Sequence, residues 1–113
     1  MTIGIYSITN LQNGRQYIGS SSNVEARWED HRYWLDRGEH INPHLQSSWK
    51  KYGSVSFRFD LIEECKESEL LRRERYYIRR CPDRYNIALP SRKESEARVG
   101  VWVVGEGRRR RVI

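Results

Sequence analysis

The strongest constraint on the fold is a pair of β-rich runs near the start of the chain, IGIYSITN at 3–10 and RQYIGSS at 15–21. Between them lies Asn13-Gly14, a dipeptide that tolerates positive φ angles at both central positions of a two-residue turn. The sequence therefore predicts a β-hairpin.

The predicted turn also sets a register. If the turn has only these two residues, Gln12 pairs with Arg15, and Tyr6 and Tyr17 lie on the same face of the hairpin. The two tyrosines are then separated by roughly 13 Å along the strands, unless a bulge or a looser turn intervenes. At that distance they are expected to have different roles.

Two helices are expected after the hairpin. The first follows SNVEARWEDHRYWLDRG, where Ser22 and Glu25 form a capping box and Gly38 occupies the position of a C-terminal glycine cap. The second is shorter and follows NPHLQSSWKKYG, where Asn42 is the N-cap and Pro43 is the first helical residue.

A third strand and a last helix complete the pattern. In VSFRFDLIEE, Val55, Phe57, Phe59 and Leu61 alternate with polar residues, which is the period of a strand with one buried face. SELLRRERYYIRRC then returns to helical period, and Pro82 ends it. We therefore expect an α+β fold in the order β-β-α-α-β-α. Its small, mostly antiparallel sheet has three strands, the N-terminal hairpin plus the third strand, flanked by helices.

Length and composition indicate one small domain. The chain has 113 residues, 37% hydrophobic and 32% charged, which allows one core beneath an ionic surface. No stretch is long and apolar enough to span a membrane, and the N-terminus lacks the pattern of a secretory signal. Cys65 and Cys81 lack CxxC spacing and are expected to be buried free thiols. These features predict a cytoplasmic protein with no membrane partner.

Positive charge is concentrated at the end of the chain. The net charge is +6 at pH 7, which suggests a polyanionic partner. Residues 91–113 hold seven basic residues against three glutamates, whereas residues 1–90 hold fourteen basic residues against twelve acidic ones. Periodicity is also lost near residue 90. We therefore expect a domain over 1–90 and a basic C-terminal appendage over 91–113.

One polar residue interrupts the apolar face of the first helix. Val24, Trp28, His31 and Leu35 recur at helical spacing, so His31 occupies a core position. Arg27 lies one turn before His31, on a neighbouring part of the same face. A core histidine bonded to the backbone and a solvated arginine would explain these residues without a function.

A carboxylate interrupts the apolar face of the last helix. The apolar residues around Glu74 on that face are Leu70, Leu71, Tyr77, Ile78 and Cys81. Burying an ionised carboxylate without a partner costs several kcal/mol. Glu74 therefore needs a cation, a metal or the rim of a cleft, and a structural ion pair with an arginine is one explanation.

Together these motifs resemble the GIY-YIG nuclease family. The matching elements are GIY at 4–6, YIG at 17–19 after ten intervening residues, Arg27, His31, Glu74 and Asn86. The resemblance covers residues 3–88. His40, in the loop after the first helix, makes the chain most similar to the catalytic domains of phage-type homing endonucleases.

This resemblance implies hydrolysis of phosphodiester bonds in double-stranded DNA with one divalent cation, Mg²⁺ or Mn²⁺, and no small-molecule cofactor. It implies that Glu74 is the only protein ligand of the cation, that Arg27 binds the scissile phosphate, and that a hairpin tyrosine activates water. His31 and His40 assist proton transfer or contact the phosphate. The residues expected to contact the substrate or to order the site are Gly19, His40 and Asn86. It leaves the oligomeric state open.

The chemistry of the residues agrees with these roles. Glu74 stands alone near the matched motifs, which suits a single hydrated Mg²⁺ better than a two-metal site. A tyrosine with a pKa of about 10 is a poor base at neutral pH unless nearby cations lower that pKa. Arg27, the metal and His31 could do so. We assign Tyr6 as the base and Tyr17 as a phosphate or water ligand.

Two other functions stay open on the sequence alone. A catalytically silent DNA-binding module on the same scaffold would suit the basic appendage, although such a module need not retain the full set of matched residues. A protein-interaction domain would use the apolar run Val101–Val104 as a docking strand. Homing enzymes add a DNA-recognition region after the catalytic domain, and residues 91–113 are too few to serve as one.

Overall fold

The computed structural model describes residues 1–87, so the predicted appendage and the Val101–Val104 run lie outside the described residues. The elements are β1 (Gly4–Asn10), β2 (Gln16–Ser21), α1 (Val24–Arg37), α2 (Pro43–Tyr52), β3 (Phe57–Glu64) and α3 (Leu70–Arg79), with 3-10 turns at Ser54–Ser56 and Glu67–Glu69. This order is the predicted one. Within residues 1–87, no helix is long and apolar enough to cross a membrane.

Three antiparallel strands form the sheet in the order β2-β1-β3. The central strand β1 pairs with its hairpin partner on one side and with β3 on the other. The predicted α+β class and three-stranded antiparallel sheet are therefore confirmed. The strand that carries the second tyrosine motif, β2, lies at one edge of the sheet.

Helices cover both faces of the sheet. Successive side chains of a strand point to opposite faces. Tyr6 and Tyr17 belong to a buried cluster that includes residues of α1 and α2, whereas Ile5 and Ile18 pack against Ile78 of α3. The pair α1 and α2 therefore lies on one face, and α3 lies on the other.

Most helix ends follow the predicted chemistry. α1 stops at Gly38, whose φ of 76° is left-handed, as expected of a C-terminal glycine cap. α2 begins after Asn42, whose side-chain oxygen accepts a hydrogen bond from the backbone N–H of Leu45. Pro43 is at the start of this helix, where the absence of an N–H costs nothing.

The predicted capping box of Ser22 and Glu25 is wrong. The N-cap of α1 is Asn23, whose Oδ1 accepts from the backbone N–H of Ala26 at 3.2 Å. The carboxylate of Glu25 instead accepts from both the backbone N–H and the hydroxyl of Thr2, at 2.8 and 2.5 Å. Thr2, which precedes the first strand, therefore binds the carboxylate that the capping box would have needed.

The predicted two-residue turn is also wrong. The backbone N–H of Asn10 donates to the carbonyl of Arg15, so the hairpin closes around residues 11–14. The buried side chain of Asn10 accepts from the N–H of Gln12, which starts the turn earlier than Asn13-Gly14 requires. Gly14 still has a positive φ of 78°, but it ends a longer turn.

The predicted buried face of the third strand is only partly correct. Phe57 is buried and Phe59 packs against the same cluster, but Val55 is 92% exposed and Leu61 is 41% exposed. Val55 lies in the 3-10 turn that precedes β3 and therefore outside the alternation of the strand. Leu61 pairs with Tyr6 in the same register in which Phe59 pairs with Ile8, because the bulge in the pairing of β3 with β1 comes after it. It lies on an edge strand of the sheet.

The two cysteines are free thiols, as predicted, but both are half-buried rather than buried. Burial raises the pKa of Cys65 and of Cys81 above the usual thiol value. Both thiols are therefore protonated at neutral pH.

Candidate active site

The phenol of Tyr6 lies over Gly19. The two residues are direct partners on β1 and β2. Tyr6 is only 1% exposed, and a β-carbon on Gly19 would overlap the phenol oxygen and the ring of Tyr6. This close approach, and not a special backbone conformation, requires glycine at the position. The glycine of the second motif thus makes room for the tyrosine of the first.

The two tyrosines are closer together than the predicted turn allows. Tyr17 pairs with Ile8, so it is a diagonal neighbour of Tyr6, at about 7 Å across the two strands. The ring centroids of Tyr6 and Tyr17 lie 5.5 and 5.4 Å from that of His31. The prediction that both tyrosines share a face is confirmed. The predicted separation of roughly 13 Å is wrong, because the register shifts by two residues.

A chain of hydrogen bonds leads from Tyr6 to the start of α2. Tyr6 Oη lies 2.6 Å from His31 Nε2, and His31 Nδ1 lies 2.7 Å from His40 Nε2. The backbone N–H of Asn42 donates to His40 Nδ1 at 3.0 Å. His31 is fully buried and His40 is 7% exposed. Burial lowers the pKa of His40 to about 3, so this imidazole is neutral at neutral pH.

Arg27 lies on the buried face of α1. It is 7% exposed and precedes His31 by one helical turn, so the two side chains share that face. The solvated arginine that the sequence left open is therefore excluded. A guanidinium stays charged in a protein and must be satisfied there by hydrogen bonds or charge. The half-buried Trp28 lies next to it and packs edge-on against Tyr6, with ring centroids 6.4 Å apart.

Glu74 is fully buried on α3. Its Oε1 accepts a hydrogen bond of 2.5 Å from the hydroxyl of Ser20. Because side chains alternate along a strand, Ser20 points to the opposite face from Tyr17 and Gly19. The carboxylate thus meets β2 from the α3 side, while the tyrosine–histidine cluster lies on the α1 and α2 side. The edge strand β2 connects the two parts of the site.

Residues 83–86 run beside the outer edge of β2. They make two backbone hydrogen bonds with Gln16. The side-chain amide of Asn86 accepts from the N–H of Ile18 and donates to its carbonyl, both at 2.9 Å. These bonds satisfy outward-facing groups that an edge strand would leave open. Asn86 therefore orders the strand that carries Tyr17, and its contact with a substrate stays a prediction.

Ser20 and Asn42 are the site residues that sequence analysis missed. Ser20 follows the second motif directly, but a serine in a strand gives no indication of a carboxylate partner. Asn42 was predicted only as an N-cap, and its side chain does serve as one. Its backbone N–H also donates to His40 Nδ1, and every residue except proline has such an N–H. No residue pattern could therefore have indicated it.

Comparison with known proteins gives the class of this domain. Residues 2–86 match the GIY-YIG catalytic domain. The chain therefore belongs to the GIY-YIG nuclease family and contains the catalytic domain of that family. The resemblance drawn from the two tyrosine motifs is confirmed.

Particular relatives are intron endonucleases. The chain is 36% identical over 93 residues to intron-associated endonuclease 1 of Enterobacteria phage T4, and the match covers 78% of this chain and 38% of that protein. A glutamate-to-alanine variant of the catalytic domain of the intron endonuclease I-TevI has a TM-score of 0.74 and 33% identity, covering 80% of this chain and 98% of the other. Another structure of the I-TevI catalytic domain has a TM-score of 0.71 and 33% identity, covering 76% and 98%. The chain thus spans about 38% of the phage protein but nearly all of the solved catalytic domains.

Proposed function

We propose that this chain is the catalytic domain of a metal-dependent DNA endonuclease that hydrolyses phosphodiester bonds with a tyrosine-activated water. The observation that carries the proposal is the arrangement around Tyr6. Its hydroxyl is hydrogen-bonded to His31 inside a buried cluster that also contains the ring of Tyr17. A buried tyrosine hydroxyl needs one hydrogen-bond partner, but it does not need a second buried histidine bonded to the first, so the arrangement supports a chemical role.

Tyr6 is the base in this proposal. A phenol has a pKa of about 10, so it can act as a base at neutral pH only when its surroundings favour the phenolate. A hydrogen bond donated to the phenol oxygen favours that form. Tyr17 lies one diagonal step away and would orient the water or a phosphate oxygen.

Arg27 would bind the scissile phosphate. The guanidinium presents several donors in one plane, which matches the geometry of phosphate oxygens. In a site shielded from water, a fixed positive charge stabilises the charge that develops on these oxygens in the transition state. The position of Arg27 beside His31 on α1 supports this role.

Glu74 would serve as the protein ligand of a divalent cation that keeps most of its water ligands. In the described part of the chain, no three His, Cys, Asp or Glu side chains are grouped as a metal site. Glu74 offers carboxylate oxygen atoms, the donors that Mg²⁺ prefers, and Mg²⁺ usually keeps several of its waters. When bound, Mg²⁺ or Mn²⁺ would supply positive charge to the phosphate and the leaving oxygen. Because Glu74 is fully buried, neighbouring side chains must move before a cation can reach it.

The test is cleavage of supercoiled plasmid DNA by the purified chain, with Mg²⁺ and with EDTA. We expect nicked product in Mg²⁺ and none in EDTA. Linear product that appears only after nicked product would show that the strands are cut one after the other. DNA binding without nicking in Mg²⁺ or Mn²⁺ would reject the proposal and indicate the catalytically silent DNA-binding module.

A further inference from the structure

We infer that the backbone N–H of Asn42 fixes the proton positions on His40 and His31, so that His31 donates a hydrogen bond to Tyr6. His40 is then a positioning residue rather than a substrate ligand. The effect on catalysis rests on the proposed function, but the proton positions do not.

The argument begins at Asn42. A backbone amide can only donate, so His40 Nδ1, 3.0 Å from it, must accept. An accepting ring nitrogen carries no proton. Since a neutral imidazole has one N–H, His40 carries its proton on Nε2. The low pKa of His40, about 3 through burial, agrees with a neutral ring.

The proton position on His40 also determines which ring donates in the hydrogen bond between His40 and His31. His40 Nε2–H points at His31 Nδ1, 2.7 Å away, so Nδ1 is the acceptor. The ring planes are 19° apart and the centroids are separated by 5.0 Å, about the separation expected of two imidazoles joined by an N–H···N bond along their planes. The proton of neutral His31 therefore lies on Nε2, which is 2.6 Å from Tyr6 Oη.

This arrangement decides what His31 can do. Protonation of His31 at Nδ1 would break its bond to His40, and Nε2 already carries a proton. His31 therefore cannot accept the phenol proton of Tyr6 while the chain of bonds is intact. It can donate to the phenol oxygen, which stabilises the phenolate, and the phenol proton then leaves to solvent water and not to His31. The ring of Tyr17, whose centroid lies 5.4 Å from that of His31 and 6.0 Å from that of His40, contributes to the shielding of the His31–His40 bond.

The direct test is nuclear magnetic resonance of the intact chain with ¹⁵N-labelled histidine. The chain has only three histidines, and the exposed His44 serves as an internal reference. At neutral pH we expect a protonated Nε2 and an unprotonated Nδ1 in both His31 and His40. A proton on Nδ1 of either residue would overturn the inference.

Two near-isosteric variants test the catalytic consequence. His40→Gln keeps a donor for His31 and an acceptor for the Asn42 N–H, so His31 should retain its proton on Nε2. His40→Glu in its ionised form offers only acceptors, so the single proton of neutral His31 should move from Nε2 to Nδ1 and the bond donated to Tyr6 should be lost. We expect His40→Gln to nick DNA within a few-fold of the unaltered chain and His40→Glu to lose about 10²-fold, the usual size of a general-base contribution.

Other outcomes are decisive as well. Equal nicking by the glutamine and glutamate variants would show that His40 only fills space. Greater nicking by His40→Glu would show that His31 acts as a proton acceptor. If a variant melts far below the unaltered chain, the resonance data on the unaltered chain decide the inference alone. If the proton positions are as expected but no form of the chain cleaves DNA, the proposed function fails and the inference about His31 and His40 stands.

Discussion

Tyr6 and Gly19 face each other across β1 and β2, and the phenol of Tyr6 occupies the space that any side chain at position 19 would need. The two motifs that flank the hairpin turn are thereby coupled. The first supplies a buried hydroxyl, and the second supplies the gap in which it lies.

Substitution of Gly19 tests this coupling. In Gly19→Ala the new methyl group must displace the ring of Tyr6 and so break its bond to His31. Nicking should therefore fall by at least about 10²-fold. The free energy of unfolding should fall by about 1–3 kcal/mol. Gly4→Ala is the matched control, because its β-carbon would meet the backbone of Glu63 and not Tyr6. Thermal melts and plasmid nicking of both variants would be compared. Full activity in Gly19→Ala would contradict the assigned role of Tyr6.

Removal of the Tyr6 hydroxyl separates packing from chemistry. Tyr6→Phe keeps the ring in the core but loses the 2.6 Å bond to His31. We expect stability to change by about 1 kcal/mol and nicking to fall by about 10²-fold or more. Tyr17→Phe is the comparison and should have the smaller effect on the rate. The opposite order of the two effects would assign the base to Tyr17.

Removal of the charge of Glu74 separates a metal ligand from a structural residue. Glu74→Gln retains the size and can still bond to Ser20, but it lacks the charge that a hard cation requires. Cleavage in Mg²⁺ should collapse, while DNA binding in Ca²⁺ should hold or tighten because one negative charge is gone from a phosphate site. A loss of several kcal/mol in stability together with every activity would instead identify a structural ion pair. Normal melting with normal nicking would remove Glu74 from the mechanism.

The buried histidine His40 should make the domain sensitive to acid. In the unfolded chain His40 takes up a proton below about pH 6.5, whereas in the folded chain it does so only near pH 3. The unfolded state therefore binds more protons in this window, and stability falls as the pH falls through it. The unfolding free energy of His40→Gln should depend less on pH than that of the unaltered chain, by about 1.4 kcal/mol per pH unit. Denaturant titrations from pH 7 to 4 would measure the difference, with His44→Gln as the matched control. Identical slopes would show that His40 is protonated in the folded state.

The basic segment at 91–113 is expected to contribute phosphate contacts. If Arg108, Arg109, Arg110 and Arg111 bind the DNA backbone, deletion of this segment should weaken binding and reduce the slope of log K against log salt by about 0.9 per lost contact. Binding isotherms at several salt concentrations would measure the slope. An unchanged slope would exclude the segment from the interface.

Sequence periodicity predicted the order of elements because each helix and strand carries its own caps and apolar spacing. His31 and Glu74 were also identifiable, since a polar residue on an apolar helical face interrupts a regular pattern. The register of the hairpin could not be predicted from the sequence, because the buried side chain of Asn10 binds the Gln12 N–H and starts the turn before Asn13-Gly14. The bond between Ser20 and Glu74 joins residues 54 positions apart, and only the packing of α3 on the sheet brings them together.

The bonds from residues 83–86 to β2 mean that the sheet edge is completed by residues that a ribosome adds after every strand and helix of the domain. A ribosome completes β2 and Glu74 before it adds these residues. Until they emerge, the outward N–H and C=O groups of Gln16 and Ile18 are open to water or to a strand of another nascent chain. The chemical groups of the site are then present, but the strand that aligns Tyr17 is not secured. A chain that ends before residue 83 would therefore carry Tyr17 on an edge strand that lacks these bonds.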